Sequence, residues 1–284
     1  MYYNRSTGQI EAQQESNTKM LSFLYNTKSG RMVLWSFAAR PWFSKTVARY
    51  HKSKLSHKDI VPFIEKHNIN IDKEYAHETY RTFNDFFTRQ RPVSCNYDKN
   101  VLISPADSKM RIYPITEDLA LKVKNSIYSV EEIVGDKDLA QYFQGGTCIV
   151  FRLGVDDYHR YHFIDSGKIL TNKKIPGQLH TVRPVSEKYK VFTRNSREVT
   201  LLQTDNFGMI AHIEVGALLV GKIQNHTKEK FDKMDEKGYF EFGGSTIIML
   251  LNKDVKFDED IVQANAQNLE TKVYAGEKIG VKVN

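Results

Sequence analysis

Apolar residues change their spacing at about residue 100. Before that point they gather as helices do. Leu21, Phe23, Leu24, Met32, Val33, Leu34, Trp35, Phe37, Trp42 and Phe43 crowd residues 19–54, and Ile60, Phe63 and Ile64 keep the three- and four-residue intervals of one helix face. Pro41 cannot donate a backbone N–H, so it divides the first group into two short helical pieces. Ser56 is placed to cap the helix through Ile60 and Ile64, and a second short turn follows Asp72. Residues 1–18 are polar and predict an irregular start. Beyond residue 100, short β-rich runs punctuated by Gly, Pro, Asn and Asp predict strands at 101–104, 111–115, 120–123, 147–153, 188–193, 199–203, 207–215, 217–223, 246–251 and 271–283. A helical or loop piece falls near 258–268. No internal repeat or low-complexity tract occurs. A helical N-terminal region, 1–80, followed by a β-rich body, 81–284, predicts the α+β class.

With 16 Phe and 15 Tyr in 284 residues, the chain can fill a substantial core, which excludes disorder throughout. Cys95 and Cys148 stand in no CxxC or Cys/His spacing. They support neither a disulfide framework nor a structural zinc, and they fit a reducing compartment. No apolar run approaches the roughly 18 residues of a spanning helix, and the start lacks the pattern of an export signal.

Charge sharpens the reading of the N-terminal region. The formal net charge is +7, and eight Lys or Arg fall between Lys19 and Lys54 without one acid. Such a segment points to a phosphate-bearing partner, either nucleic acid or an anionic lipid surface. Aromatic residues interleaved with cations, Trp35 and Trp42 among them, suit a helix lying in a headgroup layer. They equally suit an amphipathic helix packed on the core.

Three places carry groups fit for chemistry. Phe242-Gly243-Gly244-Ser245-Thr246 puts a hydroxyl on a backbone able to bend sharply ahead of a strand. One use of that bend is attack by the Ser245 hydroxyl on the carbonyl of Gly244; an ordinary turn is the other reading. Tyr158-His159-Arg160-Tyr161-His162 packs two imidazoles and a guanidinium fork into five residues. These suit proton transfer and anion binding, and also a purely structural pair. On a helical turn the histidines share a face, whereas on a strand they point oppositely. As metal ligands they lack further donors nearby, so no metal is expected. Ser104-Pro105-Ala106-Asp107 presents Asp107 at a strand end, where a carboxylate can orient a histidine or close an Asx turn.

In this order and spacing, the motifs resemble the phosphatidylserine decarboxylase family, particularly its clostridial-type members. The match runs from about residue 25 onward. Phe83-Asn84-Asp85-Phe86-Phe87-Thr88-Arg89 is similar to the family's Phe-Asn-Asp/Glu-Phe-Phe-x-Arg signature, Ser104 to Asp107 to its Ser-Pro-x-Asp segment, Asp157 to His162 to Asp-Tyr-His-Arg-x-His, and Phe242 to Thr246 to its processing motif. Two positions depart from the usual pattern: Ser108 stands where Gly is common after the Asp, and Arg183 where a smaller polar residue is common.

The resemblance implies a proenzyme that cuts itself between Gly244 and Ser245 into a β chain, 1–244, and an α chain, 245–284, which remain together. Asp107, His162 and Ser245 would be the self-processing triad, and Ser245 would become a pyruvoyl group, the covalent pyruvate cofactor and Schiff-base centre. His159 and Arg160 would contact the substrate or donate a proton. It further implies decarboxylation of phosphatidylserine at an anionic membrane, peripheral binding at the cytoplasmic side of the cell membrane through Trp35 and Trp42, and further dimerisation. Nucleic acid is then not expected as a partner. Another serine-bearing lipid or a free amino acid as substrate keeps the same chemistry. A non-catalytic binding module would need only the basic segment and predicts no cleavage.

Overall fold

The strand Ser245–Leu251 reads Ser-Thr-Ile-Ile-Met-Leu-Leu, and every residue in it is buried. A run apolar on both faces needs cover on both sides and a partner along each edge. The computed structural model supplies both. It describes residues 1–12, 18–34, 36, 41–67, 69, 80–123, 126–181, 190–217, 222–243, 245–252 and 254–283.

Ser245–Leu251 lies inside a ten-stranded sheet, between Gly208–Val215 and Thr147–Leu153. Outward from Gly208–Val215 follow Arg197–Thr204, Gly167–Ile175 and Lys230–Phe231. Outward from Thr147–Leu153 follow Ser108–Pro114, Glu270–Val273, Tyr2–Asn4 and Gln9–Glu11. Only the pairing of Tyr2–Asn4 with Glu270–Val273 is parallel.

One face of this sheet, with Ile248, Leu250, Ile213 and Val150, packs on Leu21, Leu24 and Tyr25 of the helix Thr18–Asn26 and on Val130 and Ile133 of the helix Val130–Val134. The other face, with Ile247, Met249 and Leu251, meets Ile261 of the helix Glu259–Ala266 and a smaller sheet of Ile223–Asn225, Glu236–Phe240 and Arg160–His162, through Tyr161 and Phe240. A third cluster joins Ile60, Phe83, Phe86 and Phe87 to Phe242, just ahead of Ser245. The architecture is α+β, with helices gathered toward the N-terminus and a sheet-built body.

Several local expectations are corrected. Pro41 opens the helix Pro41–His51 instead of splitting one, because a first-turn N–H has no helical partner to lose. Two further helices precede it, Thr18–Asn26 and Lys28–Val33. Ser56 caps nothing: it lies within the 3-10 helix Lys54–Asp59, its hydroxyl 2.7 Å from Ser53 O, and it accepts the Phe83 N–H at 3.0 Å. Residues 1–12 of the polar start are ordered at the sheet edge, with Arg5 bound to Asp258, Asp260 and Glu277 at 3.0, 2.7 and 2.8 Å. Within the run read as a strand at 188–193, the described part belongs to the short helix Val191–Arg194. Of the run read at 217–223, residues 218–221 lie outside the described residues, and the strand found there is Ile223–Asn225.

Candidate functional site

Five neighbouring strands share one end. Val215 pairs with Thr246, Ser245 with Leu153, Arg152 with Lys109, and both Lys109–Lys272 and Ser108–Val273 are in register. Here the chain leaves the sheet into segments 104–107, 154–159 and 274–277 and re-enters it at Ser245. Gly243 turns the chain into that strand at φ +134°, a conformation side chains oppose. Gly244 lies outside the described residues.

Ser245 is wholly buried, and its Oγ has no hydrogen-bond partner among the described residues. Strand alternation puts it on the face of Ile247 and Met249, toward the smaller sheet. His159 is equally buried, and its Nδ1 lies 2.8 Å from Asp157 O. A carbonyl only accepts, so Nδ1 carries the proton and Nε2 is a bare lone pair; it too is unpartnered. The ring packs on that of Phe87, tilted by 37° with centroids 4.1 Å apart, and burial pulls its pKa down to about 4, leaving it neutral at pH 7. His162 donates its backbone N–H to Pro105 O at 2.9 Å. Its Nδ1 is buried without a partner, and burial lowers its pKa as well. The backbone here is extended, so His159 and His162 do not share a helical face.

Asp107 departs from the expected arrangement. Its Oδ1 accepts from Arg91 Nη2 at 2.6 Å and from Ala275 N at 2.9 Å, and among the described residues no imidazole bonds to it. Burial raises its pKa against the pull of Arg91. A guanidinium is the stronger partner for a buried carboxylate, which explains the choice. The fold therefore brings Asp107, His159, His162 and Ser245 to one end of the sheet without closing the hydrogen bonds of a triad.

Arg160, expected to offer its fork to an anion, is engaged within the protein. Its Nε donates to Thr88 O at 2.8 Å, its Nη1 to Glu236 at 2.6 Å, and its guanidinium lies 4.9 Å from the Tyr239 ring centre. The half-exposed cation beside Asp107 is Arg91. Ser108 has no positive φ, so serine there carries no left-handed strain. Arg183 and Trp35 lie outside the described residues, and of Trp42 only the backbone is described, in the helix Pro41–His51.

Sequence reasoning missed two supports of the site. The first is an aromatic clamp: His51, Phe83 and Phe87 hold the Phe242 ring at centroid distances of 4.3, 5.1 and 5.2 Å. Thr82 caps the short helix Phe83–Phe87 by accepting from Asp85 N at 3.1 Å. The Phe-rich signature was the only hint of this role. The second is the buried Asp157 carboxylate, which pairs with Lys272 and Lys109 and accepts the Gly154 N–H at 2.7 Å. It anchors the segment whose backbone carbonyl sets the His159 tautomer. Only sheet register brings Lys272 to it, and no local pattern announces that.

Comparison with known proteins adds an independent line. A profile of the family described as phosphatidylserine decarboxylase matches residues 81–281. The chain is 49% identical over 283 residues to phosphatidylserine decarboxylase proenzyme 2 of Clostridium acetobutylicum, covering 98% of this chain and 97% of that one. It is 39% identical over 292 residues to the phosphatidylserine decarboxylase proenzyme of Clostridium perfringens, covering 99% of each. To that of Ruminiclostridium cellulolyticum it is 40% identical over 288 residues, covering 98% and 96%.

Proposed function

The chain belongs to the phosphatidylserine decarboxylase family, and on that footing we propose that it is a proenzyme which breaks its own backbone between Gly244 and Ser245 and then decarboxylates phosphatidylserine to phosphatidylethanolamine. The observation that carries this reading is the Ser245 hydroxyl, buried without a partner directly after a turn that only glycine takes easily. Buried hydroxyls usually find partners, and one left bare at the end of the sheet where unpartnered imidazoles also lie suits a nucleophile.

His162 takes the Ser245 Oγ proton as that oxygen attacks the Gly244 carbonyl carbon. The C–N bond breaks, the nitrogen gains a proton, and Gly244 is left as an ester on Oγ. An imidazole then removes the Ser245 Cα proton, the Cβ–O bond breaks, and Gly244 departs as a carboxylate. The remaining enamine takes up water and loses ammonia. The pyruvoyl ketone so formed supplies an electron sink for loss of carbon dioxide. His159, neutral with Nε2 bare, is assigned the proton transfer to the substrate carbon. The Asp107–Arg91 pair borders this site and keeps a cation in reach of an anionic headgroup. The 245–284 piece stays bound because Ser245–Leu251 is hydrogen-bonded along both edges by strands of the other piece.

Docking on an anionic membrane fits the N-terminal helices. Met20, Phe23, Met32 and Val33 are 46, 45, 71 and 43% exposed, with Lys19 and Lys28 exposed beside them. Apolar side chains among cations favour a headgroup layer. No helix among the described residues is long and apolar enough to cross a membrane.

Intact-mass measurement of purified wild-type and Ser245→Ala chains tests the reading. Wild type should yield two fragments, the smaller lighter by one ammonia than a serine-started 245–284, and Ser245→Ala should stay whole. A preparation that decarboxylates phosphatidylserine while remaining a single full-length chain would refute it.

A further inference from the structure

Behind Ser245, between the two sheets, lies a buried polar cluster that the chemistry above does not use. Lys237, from the strand Glu236–Phe240, is 1% exposed, and its Nζ donates to Glu214 Oε1 at 2.6 Å and to Asn225 Oδ1 at 2.9 Å. Glu214, from Gly208–Val215, also accepts from His212 Nδ1 at 2.6 Å and from Asn225 Nδ2 at 3.0 Å. Asn225 completes its amide by donating to Glu198 at 3.0 Å and accepting from the Tyr161 hydroxyl at 3.0 Å. The cluster therefore fastens all three strands of the smaller sheet to the face of the larger one.

Its place in the register gives it a purpose. Glu214 pairs with Ile247, and Ser245 sits two residues earlier on the same strand face. Lys237 belongs to the strand that runs directly into Phe242-Gly243-Gly244. Thus Glu214 stands beside the strand that begins with the nucleophile, and Lys237 stands on the strand that leads to the carbonyl it attacks. The strand before the scissile link and the strand after it belong to different sheets, and this ion pair ties those sheets together.

We infer that Lys237 and Glu214 are positioning residues for self-cleavage, setting the approach of Ser245 Oγ to the Gly244 carbonyl. The inference rests on the self-cleavage proposed above. Reacting atoms must come within roughly 3–3.5 Å, and a displacement near 1 Å costs about 10²-fold in rate. Burying an ion pair adds little net stability compared with a well-packed neutral replacement, so positioning is the better account of why charges stand here.

The test is a time course of cleavage after dilution from denaturant, with and without hydroxylamine, which attacks the ester directly and reports the acyl shift apart from elimination. Lys237→Met leaves Glu214 buried without its cation and is the variant more prone to misfold. Lys237→Met/Glu214→Gln removes both charges while keeping an acceptor for His212, so it should melt close to wild type. For the double variant we expect cleavage slowed about 10- to 100-fold, by the same factor in hydroxylamine. Wild-type cleavage rates in a folded double variant would overturn the inference, as would slowing that hydroxylamine abolishes. A wild-type chain that never cleaves instead removes the reading beneath it.

Discussion

At the shared end of the five strands, two groups of largely buried polar residues follow opposite rules. Asp157, Lys272, Lys109, Arg152 and Glu270 are paired: Asp157 meets two ammonium groups and the Gly154 N–H, and Arg152 meets Glu270 through two parallel hydrogen bonds. Ser245 Oγ, His159 Nε2 and His162 Nδ1 are buried too, yet each lacks a partner. In the first group burial is offset by pairing, and pairing makes those residues framework. In the second, lone pairs are left open in a site from which water is largely excluded, where a bare imidazole is a strong acceptor. Buried charge alone therefore marks nothing, and burial without a partner, which Ser44, Thr200, His212 and Thr246 share, points to reactivity only where a hydroxyl and imidazoles lie at one end of the sheet.

That contrast fails if the two groups respond alike to substitution. The largest effect should come from the histidines. His162→Ala should slow self-cleavage about 10²- to 10⁴-fold on denaturing gels, and His159→Ala should cleave but lose turnover by a similar factor in carbon dioxide release. His162→Ala should lower the melting temperature little, because its Nδ1 holds nothing in place, whereas His159→Ala also removes the ring packed on Phe87 and the Nδ1 hydrogen bond to Asp157 O. Lys272→Met should do the reverse of His162→Ala. It leaves the buried Asp157 carboxylate with only the Gly154 N–H and the more distant Lys109 and should cost about 3 kcal/mol in denaturant unfolding of the Ser245→Ala chain, in which cleavage does not interfere. A Lys272 variant as stable as its parent would break the contrast.

Acid sharpens it further. His159 has a folded pKa of about 4, below the unfolded value of 6.5, so the unfolded chain binds more protons between them. Its contribution is full above pH 6.5 and is lost as pH falls toward 4, about 3 kcal/mol in all. Glu214 has a folded pKa of about 2, because Lys237 and His212 outweigh the effect of burial. Its stabilisation is lost only as pH falls below about 4.5. Unfolding followed from pH 8 to 4 should therefore weaken first through the histidines, and His159→Ala should flatten the upper part of that curve. The smallest effect lies far from both groups: Phe23→Ser with Met32→Ser should weaken co-sedimentation with anionic vesicles about tenfold and leave cleavage unchanged.

Much of this was legible in the chain. The apolar run after Ser245 announced a central strand, because seven residues without charge cannot stand at an edge exposed to water. Gly243 before a serine announced a sharp turn. The N-terminal strand Tyr2–Asn4 was not legible, because its polar residues are held by pairing with Glu270–Val273, some 270 positions away. The strand Gly167–Ile175 was missed for a related reason: it carries three lysines and an asparagine on a largely exposed stretch, and only its neighbours make it a strand. Arg160 looked free because its partners, Thr88 and Glu236, are remote in sequence.

The sequence by itself determined the α+β class, the central strand, the bend before Ser245 and the kinds of side chain available for chemistry. All of these follow from local spacing, from glycine's freedom and from what each residue type can donate or accept. Tertiary structure alone decided which of those groups are paired. Arg91 rather than a histidine meets Asp107, Lys272 meets Asp157, and Lys237 meets Glu214 across two sheets. A hydrogen bond depends on atoms within about 3 Å, and the chain brings such atoms together only after strands distant in sequence have found their register.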